Sequence, residues 1–195
     1  MTPIMILAAG KSSRMRGRDK MLELVGGKPL LLHIAEQALG TGQPVFVVLP
    51  GPESKRYEIL KDAQVICLDV PDSAEGLGGT MRGGVKRLPP CDAFMLTLAD
   101  LPELETSDFN AIFAEQRHAP DHLIWRGATN DGKPGHPILF DASLRPRFQE
   151  LKGDEGGSPL VRTLQDQTKL VPLPDRRALL DLDTPEEWST WRDSL

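Results

Sequence analysis

Short apolar runs recur along this chain of 195 residues, with segments of helical character between them. Each run has the length of a strand and is rich in Val, Ile or Phe, as in PIMILAA, PVFVVLP, QVICLD and AFMLTLAD. Alternation of such strands with helices is typical of a parallel sheet that helices cover. This order therefore predicts an α/β protein with a mostly parallel central sheet.

Four segments are predicted to be helical from their apolar spacing and from the residues at their ends. Proline lies in the first turn of the first and the last of them, where its missing N–H removes no helical hydrogen bond. Thr184 is the predicted N-cap of the last one. The predicted helices are Lys28–Leu39, Gly79–Leu88, Asp108–Arg117 and TPEEWSTWRDSL.

The segments HLIWRG, HPILF, KLVPLP and ALLDLD are predicted to be further strands. No repeat or linker divides the chain, so residues 1–195 are predicted to form one domain.

The loop after the first strand, LAAGKSSRMRGRDK, contains the letters GKS but matches neither familiar nucleotide-binding loop. A P-loop requires glycine five residues before the GK pair, where this chain has Met5. A dinucleotide-binding loop requires glycine where this chain has Ser12 and Met15. The loop nevertheless carries five basic residues and one acidic one, Asp19; the basic residues are Lys11, Arg14, Arg16, Arg18 and Lys20. It is predicted to bind a small anion, the alternative being an ordinary solvated loop.

Acidic residues lie at the ends of two other predicted strands, Asp100 after LTLA, and Asp181 and Asp183 in DLD. In open α/β sheets, ligands bind outside the carboxyl ends of the strands. A carboxylate there either caps a helix or binds a metal. Its repetition favours Mg²⁺, which takes one or two carboxylates together with substrate phosphates. Asp100 and Asp183 are the predicted ligands, because Asp183 is nearer the strand end, and Asp181 is predicted to orient a metal-bound water.

Composition and charge argue against several other classes of protein, such as nucleic-acid-binding, disulfide-rich and membrane proteins. A net charge of −5 argues against a broad nucleic-acid surface, so the basic loop is a local feature. Cys67 and Cys91 lie far apart and in no metal-binding spacing, which favours buried thiols in a reducing compartment. No secretory signal and no run of about twenty apolar residues is present, so a cytoplasmic protein without a membrane segment is predicted.

No motif for a protein nucleophile is present. The chain lacks G-x-S-x-G, and its histidines, His33, His118, His122 and His136, show no metal-binding spacing. A phosphate monoester has a second pKa of about 6 and is mostly ionised at neutral pH, so it attacks without a protein base. Transfer to such an acceptor requires only positioning and charge neutralisation.

Several motifs occur in the order seen in one known family. LAAGKSSRM with Lys20, GGKPLL, AEGLGGTMRGG, TLADLPEL, GHPILF, LKGDEGG and DLDTPEEW together resemble the MobA-like nucleotidyltransferases over essentially the whole chain. The resemblance implies a Rossmann-like, three-layer fold, and catalytic roles for Arg14, Lys20 and Asp100 with Mg²⁺ bound by Asp100 and Asp183. The nucleotide-binding residues that it implies are Leu7, Ala8, Ala9, Gly10, Ser12, Ser13, Arg14, Lys20, Gly76 and Thr80. It also implies that Gly135, His136 and Pro137 line the acceptor side.

Within this family the chain resembles the cytidylyl branch. GTP-using members usually have LAGG where this chain has Leu7-Ala8-Ala9-Gly10, so CTP is the expected nucleotide. The expected reaction joins CMP from CTP to the terminal phosphate of molybdopterin and releases pyrophosphate, and a recipient molybdoenzyme is a possible partner. Three alternatives stay open: transfer from GTP, a sugar or alditol phosphate as acceptor, and a carrier that delivers finished cofactor without catalysis.

Overall fold

The computed structural model describes residues 1–195 and contains a seven-stranded sheet with helices on both faces. The strands are β1 (Ile4–Leu7), β2 (Leu24–Val25), β3 (Lys28–Pro29), β4 (Val45–Leu49), β5 (Ile66–Asp69), β6 (Ala93–Leu98), β7 (Ile124–Ala128), β8 (Pro134–Asp141) and β9 (Thr168–Pro172). The helices are α1 (Leu30–Leu39), α2 (Lys55–Leu60), α3 (Leu77–Arg87), α4 (Thr106–His118), α5 (Arg145–Phe148), α6 (Ser158–Arg162) and α7 (Pro185–Asp193).

The strand order of the large sheet is β5-β4-β1-β6-β8-β7-β9, and β2 and β3 form a separate hairpin. Strand β8 runs antiparallel to both of its neighbours, whereas all other pairs are parallel. The carboxyl ends of six strands and the amino end of β8 therefore lie along one edge. The predicted mostly parallel, Rossmann-like α/β fold is confirmed.

Successive residues of each central strand point alternately into two apolar layers, one on each face of the sheet. In β1, Ile4 and Ile6 pack with α1, α4 and α7, while Met5 and Leu7 pack with α3, α5 and α6. Helix α3 approaches the sheet closely, because a Cβ on Gly84 would come within 2.6 Å of the Met5 sulfur. This close packing places the amino end of α3 beside the end of β1.

The predicted helices are present with shifted ends. The first begins at Leu30 rather than Lys28, because Gly26 and Gly27 adopt positive φ and turn the chain into the β2–β3 hairpin, which includes Lys28. Helix α3 begins two residues before the predicted Gly79, and α4 extends beyond Asp108–Arg117 at both ends. Helix α7 begins after Thr184, whose side chain forms the expected N-cap as part of a capping box.

The prediction of a strand over ALLDLD is wrong. Its backbone N–H groups donate mostly to nearby carbonyls, as in Leu180 to Arg176 and Asp181 to Leu179, both at 2.9 Å. The apolar pattern reflects burial of Ala178 and Leu182 in the core rather than pairing in a sheet. Asp183 therefore reaches the sheet edge on a turn-rich loop. No helix combines the length and the apolar character that crossing a bilayer requires.

Candidate active site

A cleft of about 590 Å³ lies at the carboxyl edge of the sheet, between the loop after β1 and the amino end of α3. Eleven of the residues predicted to bind nucleotide or metal line it: Leu7, Ala8, Ala9, Gly10, Ser13, Arg14, Lys20, Gly76, Thr80, Asp100 and Asp183. Asp181 and Lys11 line it as well. The cleft thus joins chain segments that are far apart in sequence.

Lys20 joins the two acidic segments of the cleft. Its Nζ donates to Asp100 Oδ2 and, at 2.9 Å, to Asp183 Oδ1, with only 13% of the side chain exposed. Burial by itself would lower the pKa of Lys20, but Asp100 and then Asp183 outweigh it and the pKa is raised. The ammonium group therefore stays charged.

Arg14 extends this charged cluster toward solvent. Its Nη2 lies 2.7 Å from Asp183 Oδ2, and 68% of its side chain is exposed. By contrast, Arg16 pairs with Glu186 and Arg18 approaches Glu23, and neither arginine lines the cleft. The five cations of the loop therefore divide into three that line the cleft and two that do not.

Arg56 on α2 holds the loop in place, and it was not identified from the sequence. It is 4% exposed, forms two hydrogen bonds with the Asp19 carboxylate at 2.8 and 2.7 Å, and donates to the Ala8 carbonyl. Burial would raise the pKa of Asp19, but the hydrogen bonds and charge of Arg56 outweigh it, and the pKa is lowered. The only sequence signal was Asp19 itself, the single acid among the loop's cations.

Ser12, one of the predicted nucleotide-binding residues, does not line the cleft. It has a φ of 51°, and its hydroxyl lies 3.2 Å from both Asp19 Oδ1 and the Lys20 backbone nitrogen. Ser12 thereby links the Arg56–Asp19 pair to the backbone that carries Lys20. Its observed contacts stabilise the loop.

The opposite wall of the cleft is built by the LKGDEGG segment packed on α3. The Gly78 N–H donates to the Gly153 carbonyl at 2.7 Å, and the Leu77 N–H donates to Asp154 Oδ1 at 3.3 Å. Thr80 donates from its hydroxyl to the Gly76 carbonyl at 2.9 Å. These bonds place Asp154 in the lining of the cleft.

The acidic residues fit a divalent cation shared with a phosphate ligand. Asp100 Oδ1 is buried and has no hydrogen-bond partner, which leaves an acceptor unsatisfied in the cleft. No group of three or more His, Cys, Asp or Glu side chains converges to form a complete metal centre. Asp100 and Asp183 would therefore supply one or two ligands and substrate phosphates the others, the mode that Mg²⁺ prefers.

The predicted acceptor segment, Gly135, His136 and Pro137, begins β8 at the same edge but does not line the cleft. The His136 N–H donates to the Ala178 carbonyl at 2.8 Å, and the peptide bond between His136 and Pro137 is cis. Burial, followed by the charge of Arg126, lowers the pKa of His136 to about 4. The imidazole is therefore neutral at physiological pH.

One family model and several relatives match this chain over most of its length. A model of the MobA-like NTP transferase domain matches residues 4–169. Molybdenum cofactor guanylyltransferase of Vibrio cholerae is 32% identical, with 95% of this chain and 89% of that protein covered. Purine catabolism protein PucB of Bacillus subtilis is 27% identical, with 97% and 95% covered.

The structure of Rv0371c from Mycobacterium tuberculosis superimposes with a TM-score of 0.83 at 23% identity, covering 97% of this chain and 95% of that one. A further structure of Rv0371c, a complex with manganese, has a TM-score of 0.77 at 20% identity and covers 100% and 99%. These structures share the fold described above.

Proposed function

The chain belongs to the MobA-like NTP transferase family and is a nucleotidyltransferase, and we propose that it transfers CMP from CTP to the terminal phosphate of molybdopterin. The observation that carries this proposal is the cluster in the cleft, where Lys20 bridges Asp100 and Asp183 beside Arg14. Such an arrangement suits a triphosphate and a divalent cation. A carrier without catalysis would not require this combination of charges.

In the proposed reaction, an oxygen of the ionised acceptor phosphate attacks the α-phosphorus of the nucleotide. A new P–O bond forms, the bond between the α-phosphorus and the bridging oxygen to the β-phosphate breaks, and pyrophosphate leaves with that electron pair. The protein needs no base, because the acceptor is already ionised. Lys20 and Arg14 neutralise phosphate charge, and the ends of β1 and α3 orient the nucleotide.

Asp100 and Asp183 would hold Mg²⁺ in this proposal. When bound, the cation neutralises charge on the phosphates and polarises the P–O bonds. The unsatisfied Oδ1 of Asp100 supports this role, as does the manganese complex of Rv0371c. Asp181 lines the same cleft beside the pair, and we assign it the role of holding a water next to the cation.

The choice of CTP rests on Ala9, which lines the cleft at the end of β1. The Cβ of Ala9 occupies space that glycine leaves open, and a narrower base site favours a pyrimidine over a purine. GTP is the second candidate nucleotide, because relatives such as the Vibrio cholerae protein are named guanylyltransferases.

Three further assignments belong to this proposal. Gly135, His136 and Pro137 form the acceptor side of the site. The protein is cytoplasmic, and residues 1–195 form a single domain.

The experiment that tests this function is to measure pyrophosphate release with CTP, GTP or ATP, Mg²⁺ or Mn²⁺, and molybdopterin or a sugar or alditol phosphate. CTP with molybdopterin should give the highest kcat/KM. Equal rates with CTP and GTP contradict the cytidylyl assignment, and turnover only with a sugar or alditol phosphate contradicts the acceptor.

The variant Ala9→Gly tests the nucleotide choice within the same assay. We expect its ratio of kcat/KM for CTP to that for GTP to fall by roughly tenfold, the effect of about one methyl group in a pocket. The matched control is Ala74→Gly, since Ala74 lines the cleft on the side of α3. A ratio that stays at the wild-type value in Ala9→Gly removes the steric explanation.

A further inference from the structure

A second cleft, of about 420 Å³, lies on the same face of the sheet as α6. Its lining includes Arg126 of β7, Arg162 of α6 and the polar residues Ser158, Gln165 and Thr168, and it contains no Asp or Glu. In a chain with a net charge of −5, a cleft with two arginines and no acid is a local concentration of positive charge.

Arg126 is the anchored member of this pair. It is partly buried on β7, and its Nε–H donates to the Gly135 carbonyl at 2.8 Å. That is its only side-chain hydrogen bond within the chain, and no Asp or Glu lines the cleft beside it. Burial lowers the pKa of its guanidinium, which shows that the charge is held at a cost. Two of its nitrogens remain free for a ligand.

Arg162 and the polar side chains complete the cleft. Arg162 is exposed on α6 and forms neither a salt bridge nor a side-chain hydrogen bond. Ser158 and Gln165 also leave their side-chain donors free within the chain. Two guanidinium groups surrounded by neutral donors match an oxyanion, since guanidinium binds carboxylate and phosphate oxygens through two parallel hydrogen bonds.

We propose that this second cleft binds an oxyanion, a phosphate or a carboxylate, through Arg126 and Arg162. Molybdopterin has a single phosphate, the one that attacks in the proposed function, and no carboxylate, so the expected ligand is a free oxyanion. An oxyanion at the far end of a different acceptor is the alternative that the second test decides. The chain connects the two clefts closely, because Asp154 lines the first and Ser158 the second. The Gly135 carbonyl likewise ties Arg126 to the segment assigned to the acceptor.

The first test is a titration of the isotope-labelled protein with inorganic phosphate, at constant ionic strength, followed by ¹H–¹⁵N NMR. We expect saturable shifts of the Arg126 Nε–H signal and of the Ser158 and Arg162 backbone amides. Arg162→Gln should weaken phosphate binding roughly tenfold, the contribution of one charge-assisted hydrogen bond. The control is Arg117→Gln, an exposed arginine on α4 outside both clefts, which should bind as wild type does.

Arg162→Gln alters an exposed side chain, so its folding should match wild type. Arg126→Lys is the second variant, and it keeps the charge while it removes the two-pronged geometry. No saturable shift in this cleft, or equal phosphate affinity in wild type and Arg162→Gln, overturns the proposal.

The second test separates an acceptor group from a free anion. If the ligand belongs to the acceptor, Arg162→Gln should raise the KM for the acceptor by roughly tenfold and leave the KM for the nucleotide unchanged. We expect phosphate binding with an unchanged acceptor KM, which supports a free anion as the ligand, and a raised acceptor KM would overturn the free-anion assignment. If no acceptor gives turnover, the proposed function fails, whereas the phosphate titration still decides the oxyanion site.

Discussion

The ammonium group of Lys20 is held by two carboxylates in the first cleft, so a neutral side chain there leaves Asp100 and Asp183 without their shared counter-charge. It would also remove a positive charge from the phosphates of the bound nucleotide. At the scale of single residues, this makes Lys20 and Arg14 the most informative positions. The other cations of the loop provide the comparison.

Lys20→Ala and Arg14→Ala should each lower kcat by about a hundredfold, because such electrostatic contacts contribute ~3 kcal/mol to the transition state. The measurement is steady-state pyrophosphate release at saturating nucleotide. Arg18→Ala is the matched control, since Arg18 lies outside the cleft and its Nη1 is 3.9 Å from Glu23. Arg16→Ala should behave in the same way. Equal losses in all four variants would support the alternative that this is an ordinary solvated loop without specific phosphate contacts.

The acidic residues of the first cleft differ in whether they contact Lys20. Asp100→Asn and Asp183→Asn should each reduce turnover strongly and raise the Mg²⁺ concentration needed for half-maximal activity, because an amide is a weaker ligand than a carboxylate. Asp181→Asn, which makes no contact with Lys20, is the control and should lose less. Activity is measured against Mg²⁺ concentration for all three. A larger defect in Asp181→Asn than in Asp183→Asn reverses the assignment of the second ligand.

The loop after β1 depends on a contact with a different element, helix α2. Arg56 reaches from α2 to the Asp19 carboxylate and to the Ala8 carbonyl, where β1 gives way to the loop. Without the guanidinium, the buried Ala8 carbonyl and the partly buried Asp19 carboxylate lose the hydrogen bonds that Arg56 donates to them. The geometry of Gly10–Lys20 is therefore set by α2 as well as by its own residues.

Arg56→Met should lower the free energy of unfolding by about 2 kcal/mol, less than a fully buried pair because Asp19 is partly exposed. The KM for the nucleotide should rise in parallel as the loop loses its support. Denaturant unfolding and steady-state kinetics measure the two effects. Lys55→Met, an exposed neighbour on α2, is the control. The double variant Arg56→Met/Asp19→Asn should recover part of the lost stability, and strict additivity of the two single variants would argue against the pairing.

At the scale of the whole molecule, His136 makes stability depend on pH. Its pKa is about 4 in the folded protein, against about 6.5 in an unfolded chain. Between these values the unfolded state binds more protons than the folded state, so stability rises with pH across this window. The contribution is complete above pH 6.5 and declines as the pH falls toward 4.

Protonation of His136 should therefore lower the free energy of unfolding by up to about 3 kcal/mol between pH 6.5 and pH 4. Denaturant titrations at several pH values measure it. His136→Gln should flatten the profile in this window, leaving a smaller slope from His33, whose pKa burial also lowers. His118→Gln, an exposed position, should keep the wild-type slope. An unaltered slope in His136→Gln would mean that other groups cause the acid sensitivity.

The sequence by itself determined the class of sheet, the approximate position of most helices and the basic loop that lines one side of the first cleft. These features follow from signals within about ten residues: the strand-length apolar runs, the Thr184 cap, and the basic loop that directly follows β1. The motif resemblance added the family and the expected grouping of the loop with Asp100 and Asp183. Periodicity failed at ALLDLD, because burial of Ala178 and Leu182 produces the same pattern as a buried strand.

Only the tertiary structure decided which side-chain atoms of these distant residues meet. Lys20 contacts Asp100 and Asp183 across 80 and 163 positions, and Arg56 contacts Asp19 across 37. Such pairings depend on the order of the strands, in which β1 lies between β4 and β6, and no local pattern encodes that order. For the same reason, the second cleft became visible only when β7, β9 and α6 came together. Arg126 of β7 and Arg162 of α6 are not part of any sequence motif, and they line a common cleft only because these elements pack together.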